Sequence, residues 1–230
     1  MNTQNAMYQE KLKRCGIVLI IVGILDISFM AWCNSHSQSY NPTFNIFSII
    51  AGFFLIRGSL KAAKWTAYFG SFLLVMGIGG FLAICLAFPA AYIIASLKFQ
   101  AHSMICNMIM GIICYPLLYW ICKELLSSDV VEAQKSAQIK PAYIKRPIII
   151  GVIASLVLGV ILFKATRDKN ASHAVQLAEK KFGGAYNYQV INISITTKSN
   201  PNGTSLKIIY ATVAAYNDSD VKKIPVIWEE

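Results

Sequence analysis

Five long apolar runs, separated by polar and basic segments, constrain this chain more than any other feature of its sequence. A helix needs about 20 apolar residues to cross a bilayer core about 30 Å thick. The runs therefore predict five transmembrane helices, at about 15–33, 44–60, 65–88, 102–122 and 147–163. Only 14% of the residues are charged, well below the share in soluble domains. We expect a multi-pass integral membrane protein with the lipid bilayer as its main solvent.

Basic residues concentrate on one side of these predicted spans. The N-terminus and the loops after the second and fourth spans hold eleven of them: Lys11, Lys13, Arg14, Arg57, Lys61, Lys64, Lys123, Lys135, Lys140, Lys145 and Arg146. The two short loops on the opposite side hold only Lys98. Because basic loops stay in the cytoplasm, the N-terminus is predicted to be cytoplasmic and the C-terminal tail extracytoplasmic. The compact plan favours a bacterial inner membrane with a periplasmic tail, and the net charge of +10 needs no nucleic acid to explain it.

The chain is predicted to divide into five parts. They are a cytoplasmic N-terminus (1–14), a four-helix transmembrane module (15–122), a cytoplasmic loop (123–146), a fifth transmembrane helix (147–163) and an extracytoplasmic domain (164–230). Within the module, the apolar stretch from Pro89 to Phe99 is too short to cross a bilayer. It is predicted to be an interfacial helix, and the alternative is that the third span continues past a proline kink.

The last 65 residues carry six of the eleven acidic side chains and read as a water-exposed α+β domain. The pattern predicts one helix, with Ser172 as its N-cap and Gly183-Gly184 as its stop, whose apolar face holds Val175, Ala178 and Phe182. A three-stranded antiparallel sheet is predicted to follow, with strands at 186–197, 204–216 and 224–228. Pro225 predicts that the third strand lies at an edge. About 60 residues without a cysteine make a marginal domain, which favours a binding partner.

Three polar residues within or beside the predicted spans are candidates for a functional site. Asp26 lies near the middle of the first span, where an acid costs at least about 2.5–3.5 kcal/mol and should face a partner or a water-filled cavity. Arg57 and Asn107 are the residues that could approach it from other spans. Asp26 is therefore either a proton or cation site or a hydrogen-bonded packing contact.

Small residues recur at every fourth position of the fifth span, at Gly151, Ser155 and Gly159. Such a face lets two helices approach closely. It would serve either dimerisation or docking on another protein, or packing within this chain's own bundle.

No motif for catalysis, metal binding or a cofactor is present in the sequence. The six cysteines lie in or at the ends of the predicted spans and include no CxxC pair, so buried apolar thiols are favoured over a disulfide among Cys33, Cys85 and Cys106. We therefore expect a non-enzymatic accessory or assembly protein. Its extracytoplasmic tail would bind a membrane or periplasmic protein, or a second copy of the chain. The alternative is a small transporter or ion-coupled channel that uses Asp26.

Overall fold

The computed structural model describes residues 3–36, 46–99, 101–199 and 205–229, without the side chains of residues 3–6, 101–110, 198, 199 and 205. The elements in chain order are α1 (Thr3–Ser35), α2 (Ile46–Ile56), α3 (Leu60–Ala87), α4 (Ala90–Phe99), α5 (Ala101–Leu125), α6 (Ser128–Ser136), α7 (Lys145–Arg167), α8 (Lys169–Phe182), β1 (Asn187–Ser199), β2 (Ser205–Tyr216) and β3 (Val221–Glu229). The predicted plan, mostly helical with a C-terminal three-stranded antiparallel sheet, is confirmed.

Among the described residues, three helices are long and apolar enough to cross a membrane. They are Met7–Ser35 within α1, α3 (Leu60–Ala87) and α7 (Lys145–Arg167), which coincide with the first, third and fifth predicted spans. Only 11% of the apolar part of α7 is buried inside the protein. An apolar helix that is this exposed is stable in lipid and would be unfavourable in water.

The predicted total of five spans is not confirmed. α2 has 11 residues, which gives a length of about 16 Å at 1.5 Å per residue, roughly half of a bilayer core. The start of that predicted span falls in 37–45, which lies outside the described residues. α5 has 25 residues, but the side chains of its first ten lie outside the description, so the fourth span stays a prediction.

The chain divides into two compact units, one within Met1–Gly79 and Ile105–Ala154 and the other within Gly80–Met104 and Ser155–Glu230. The first unit has a helical core in which α1 contributes buried residues three or four positions apart: Leu12, Cys15, Leu19, Val22 and Asp26. That spacing places them along one side of the helix. α1 therefore buries one stripe and leaves the rest of its apolar surface exposed.

α6 was not predicted, since its segment was interpreted as a cytoplasmic loop at 123–146. It packs on the start of α1, where Lys11 Nζ lies 2.6 Å from Asp129 Oδ2 and Val130 is fully buried. The Gln134 side chain donates a hydrogen bond of 3.4 Å to the Leu60 carbonyl at the start of α3. This segment is therefore part of the helical core rather than a free linker.

In the second unit, α3 ends at Ala87 and a separate helix, α4, begins at Ala90. The predicted separate helix is therefore present, and the alternative of one helix continuing through Pro89 is wrong. The tail follows as α8 and the three strands, in the predicted order. α8 begins earlier than predicted, because Asp168 rather than Ser172 is its N-cap and accepts a hydrogen bond of 2.8 Å from the Lys169 amide. Its end at Gly183, with φ of 78°, agrees with the predicted stop.

Candidate functional site

The tail sheet has β2 at its centre, paired antiparallel with β1 on one side and β3 on the other. α8 covers one face of the sheet with three buried alanines, Ala171, Ala174 and Ala178. The core between them also includes Val190, Ala211, Val213, Ala215 and Ile224. Small side chains on the helix allow it to lie close to the sheet. Phe182, which was predicted on this apolar face, is 42% exposed because it is the last residue of α8.

A β-bulge in β1 changes which of its side chains face the helix. The register shifts between Val190 and Asn192, so Ile191 is an extra residue opposite β2. Val190 and Ile193 therefore both pack against the core beneath α8, although they are three residues apart. The alternation of Ile191, Ile193 and Ile195 with polar residues predicts one buried face, but of the three Ile193 packs against this core, since Ile191 is the bulge residue and Ile195 is 53% exposed.

α4 covers part of the opposite face of the sheet, near the turn between β2 and β3. The rings of Tyr92 and Tyr216 lie 5.6 Å apart, and Lys98 Nζ donates a hydrogen bond of 3.1 Å to the Asp218 carbonyl. Tyr216 is buried, and this burial, together with Tyr92, raises the pKa of its hydroxyl. The tail is therefore stabilised in part by the chain's own α4, which the sequence did not predict.

The end of the sheet near the β1–β2 connection keeps apolar side chains exposed. We call this region the sheet tip and define it by Ile195, Tyr210 and Ile227, which are 53%, 43% and 60% exposed. Ile195 lies on the α8 side of the sheet next to Ile209 and Trp228, whereas Tyr210 and Ile227 pair with each other on the opposite side. The exposed apolar side chains of the sheet tip therefore lie on both faces of the sheet, and Ile195 is the one that belongs to the edge strand β1.

The two edge strands of the sheet, β1 and β3, differ in how easily a strand of another protein could pair with them. β1 has 13 residues and, within the described part of the chain, pairs with β2 alone; its side chains from Ser194 to Thr197 are exposed. β3 has nine residues and includes Pro225, which has no amide hydrogen to donate, and Lys222 and Lys223. Lysines and prolines are the residues that block strand addition at natural edges. β1 has no proline and one lysine, Lys198, next to its end, so its edge from Ser194 to Thr197 is the open one.

Asp26 is fully buried in the first unit. It shares the core stripe of α1 with Leu19 and Val22, and its carboxyl group lies within electrostatic range of the Cys114 thiol on α5. The side chain thus faces the helical core, as the sequence led us to expect of an acid at that depth. Residues of both α1 and α5 therefore lie near the Asp26 side chain.

Of the two other polar candidates, Arg57 lies away from Asp26, and the side chain of Asn107 is not among the described ones. Arg57 follows the end of α2 and lies exposed over the Phe53 ring at 4.2 Å. The adjacent Ile56 is level with Gly16, which is about 15 Å along α1 from Asp26 at 1.5 Å per residue. Asn107 belongs to α5, but its side chain lies outside the described residues.

The small-residue face of α7 contacts α3. A Cβ added to Gly151 would lie 3.0 Å from Val75 Cβ and 3.3 Å from the Phe72 carbonyl oxygen, and Ser155 is 8% exposed. A Cβ added to Gly159 would lie 3.5 Å from Ala83 Cβ. The face is thus used for packing inside this chain.

The cysteines and histidines whose side chains are described form no recognisable site. Cys15, Cys114 and Cys122 are buried in the core of the first unit, and Cys85 is an exposed free thiol. Cys106 has no described side chain. Among the residues that the structure describes, no group of three or more His, Cys, Asp or Glu residues could hold a metal ion.

Two features of the structure were not predicted from the sequence. Gly16 and Gly52 mark the point where α1 and α2 approach most closely, and the spacing of Gly16 and Gly23 by seven residues was the available signal. The exposed edge of β1 could not be located without the order of the strands.

A comparison with known protein families, characterised proteins and solved structures finds no match to this chain.

Proposed function

We propose that the chain is a multi-pass integral membrane protein whose tail binds a partner protein by strand addition to the edge of β1. The observation that carries the proposal is that the outer edge of β1 pairs with no other strand among the described residues and bears the exposed apolar side chain of Ile195. In strand addition, main-chain hydrogen bonds provide affinity and alternate side chains provide specificity. Ile195 would contact an apolar side chain of the partner, and Ser194 and Thr196 would lie on the opposite face.

The proposed role is non-enzymatic, that of an accessory or assembly protein. The N-terminus would be cytoplasmic and the tail periplasmic, in a bacterial inner membrane. Three long apolar helices support the membrane location, and the contrast in basic residues between the predicted loops supports the orientation. The partner would be an extended segment of a periplasmic or membrane protein, or β1 of a second copy of the chain.

Site-specific photocrosslinking in cells tests this proposal. A photoreactive residue at Thr196, in the open edge, is expected to capture a discrete partner. The matched control carries the same residue at Lys223 in β3, which is also exposed. A product of twice the chain's 25.4 kDa would identify a second copy as the partner. Equal capture at both positions, or capture at Lys223 alone, would refute binding at the β1 edge.

A second candidate function is proton or cation transport through the helical unit. The observation that favours it is the complete burial of Asp26 within an apolar core. Buried intramembrane acids commonly line ion pathways. The test compares the parent chain with Asp26→Asn in reconstituted vesicles that report proton or cation flux. Flux that Asp26→Asn abolishes would support transport, whereas absent flux, or flux that the substitution leaves unchanged, would exclude it.

A further inference from the structure

A cavity of about 310 Å³ lies in the second unit, between the ends of two long helices and the start of the tail sheet. It is formed by the end of α3, the residues that follow it, the end of α7 and the start of β1. Its lining residues are Leu86, Ala87, Phe88, Pro89, Thr166, Arg167 and Gln189. Neither the partner-binding surface on the tail nor the surroundings of Asp26 includes any of them.

The position of the cavity along the helices indicates its depth in a membrane. α3 is apolar enough to span as far as Ala87, and α7 as far as Arg167. Both spans therefore end at the cavity walls. The rings of Phe88 and Tyr92, 5.6 Å apart, follow immediately, and aromatic side chains favour the boundary between hydrocarbon and headgroups. The cavity thus lies at the headgroup level of one leaflet.

One wall of the cavity carries a positive charge that is held in place. The Arg167 guanidinium stacks over the Phe163 ring at 4.1 Å, and no carboxylate of the described residues forms an ion pair with it. The neighbouring Asp168 carboxylate instead accepts the hydrogen bond from the Lys169 amide that caps α8. Lys164 and Lys169 add two cations close by in the sequence. The local charge therefore favours an anion.

The rest of the lining divides into polar and apolar parts. The Gln189 side chain donates one hydrogen bond of 3.2 Å to the Val190 carbonyl, which leaves its second amide hydrogen available. Leu86, Ala87, Phe88 and Pro89 make the apolar part, and Leu86 is 76% exposed. A phospholipid has the matching division, with a phosphate next to a glycerol backbone and acyl chains.

We propose that this cavity binds the headgroup of an anionic phospholipid. Arg167 would hold the phosphate with charge-assisted hydrogen bonds, and Leu86 would contact the first carbons of an acyl chain. Such a lipid would tie the end of α7 and the start of β1 to the membrane surface. The inference rests on the membrane location proposed above, and it does not depend on the partner of the tail.

Native mass spectrometry of the full chain in nanodiscs tests this proposal. The nanodiscs would contain phosphatidylglycerol and phosphatidylcholine in equal amounts. We expect one phosphatidylglycerol to be retained in preference to phosphatidylcholine. Arg167→Gln should weaken this retention about tenfold, which is the effect of losing one hydrogen bond to a charged group. Arg167→Lys should keep a substantial part of it, because the charge remains.

Arg146→Gln is the matched control, because Arg146 is an exposed arginine over an aromatic ring, Tyr143, at the other end of α7. It should leave the retained lipid unchanged. An equal loss in both variants would indicate general surface attraction and would overturn the site. Displacement of the lipid by inorganic phosphate at an equal concentration would show a site for free phosphate and would also overturn it. A chain that inserts without a lipid preference refutes this inference alone, whereas a chain that does not insert refutes the membrane location as well.

Discussion

Gly16 of α1 and Gly52 of α2 approach so closely that neither position has room for a side chain. A Cβ added to Gly16 would lie 2.6 Å from the Gly52 carbonyl oxygen, and a Cβ added to Gly52 would lie 2.6 Å from the Gly16 carbonyl oxygen. Gly23, further along α1, faces Ile49 in the same way. The two helices therefore run antiparallel, and α2 brings Arg57 to the end of α1 that carries Lys11, Lys13 and Arg14.

Alanine substitution of glycines should have opposite effects at two helical positions. Gly52→Ala should lower the free energy of unfolding by about 1–3 kcal/mol, because the helices must separate. Gly80→Ala in α3 should be neutral or stabilising by up to about 1 kcal/mol, since nothing lies within 4 Å of an added Cβ there and alanine favours the helix. Thermal unfolding in mild detergent measures both. Equal effects of the two substitutions would contradict the close crossing.

The ion pair between Lys11 and Asp129 should hold α6 against α1. Its side chains are 28% and 23% exposed, and Lys11 also donates a hydrogen bond of 3.2 Å to the Ser127 hydroxyl. Asp129→Asn should therefore cost about 1–2 kcal/mol of local stability and speed amide hydrogen exchange across α6.

Glu10→Gln provides the control for that experiment. It removes the ion pair between Glu10 and Arg14, which are 61% and 69% exposed and one helical turn apart in α1. Exchange in α6 should not change in this variant, because surface pairs contribute little. Slow exchange that persists in Asp129→Asn would contradict this role of the ion pair, and would show that apolar contacts such as those of Val130 are enough to hold α6 against α1.

The tail should lose stability as the pH rises through about 10, the ordinary pKa of tyrosine. Burial raises the pKa of Tyr188 and of Tyr216, and a hydrogen bond to Tyr186, followed by the contact with Asp220, raises the pKa of Lys222. All three groups hold their protons more tightly when folded. The unfolded tail therefore loses protons first, so its population grows with pH.

Trp228 fluorescence between pH 8 and 11 measures this alkaline loss in a full chain whose other tryptophans, Trp32, Trp65 and Trp120, are replaced by phenylalanine, because Trp228 packs against the tail core. Tyr216→Phe should reduce the pH dependence, since the titrating hydroxyl is removed. A stability that stays constant, or rises, above pH 10 would contradict the assignment of these groups.

The predictions from sequence succeeded where a local pattern determines the structure. The three strands follow in the predicted order, and turn residues separate them: the Asn217 side chain accepts hydrogen bonds from the Ser219 and Asp220 amides. The bulge at Ile191 was missed, because it depends on pairing with β2. The cavity was missed because Arg167 and Gln189 are 22 positions apart in sequence and meet only in the folded unit. The partners of Asp26 likewise depend on helix packing.

Retention of a partner by the purified chain tests the central claim most directly. The chain would be crosslinked in cells, purified in mild detergent, and compared as the parent, Ile195→Lys and Ile227→Lys. Both isoleucines are exposed at the sheet tip, but Ile195 lies on the open strand β1 and Ile227 on β3. We predict a stoichiometric partner that Ile195→Lys loses and Ile227→Lys keeps. A preparation without a partner, or one in which only Ile227→Lys loses it, would contradict binding at the edge of β1.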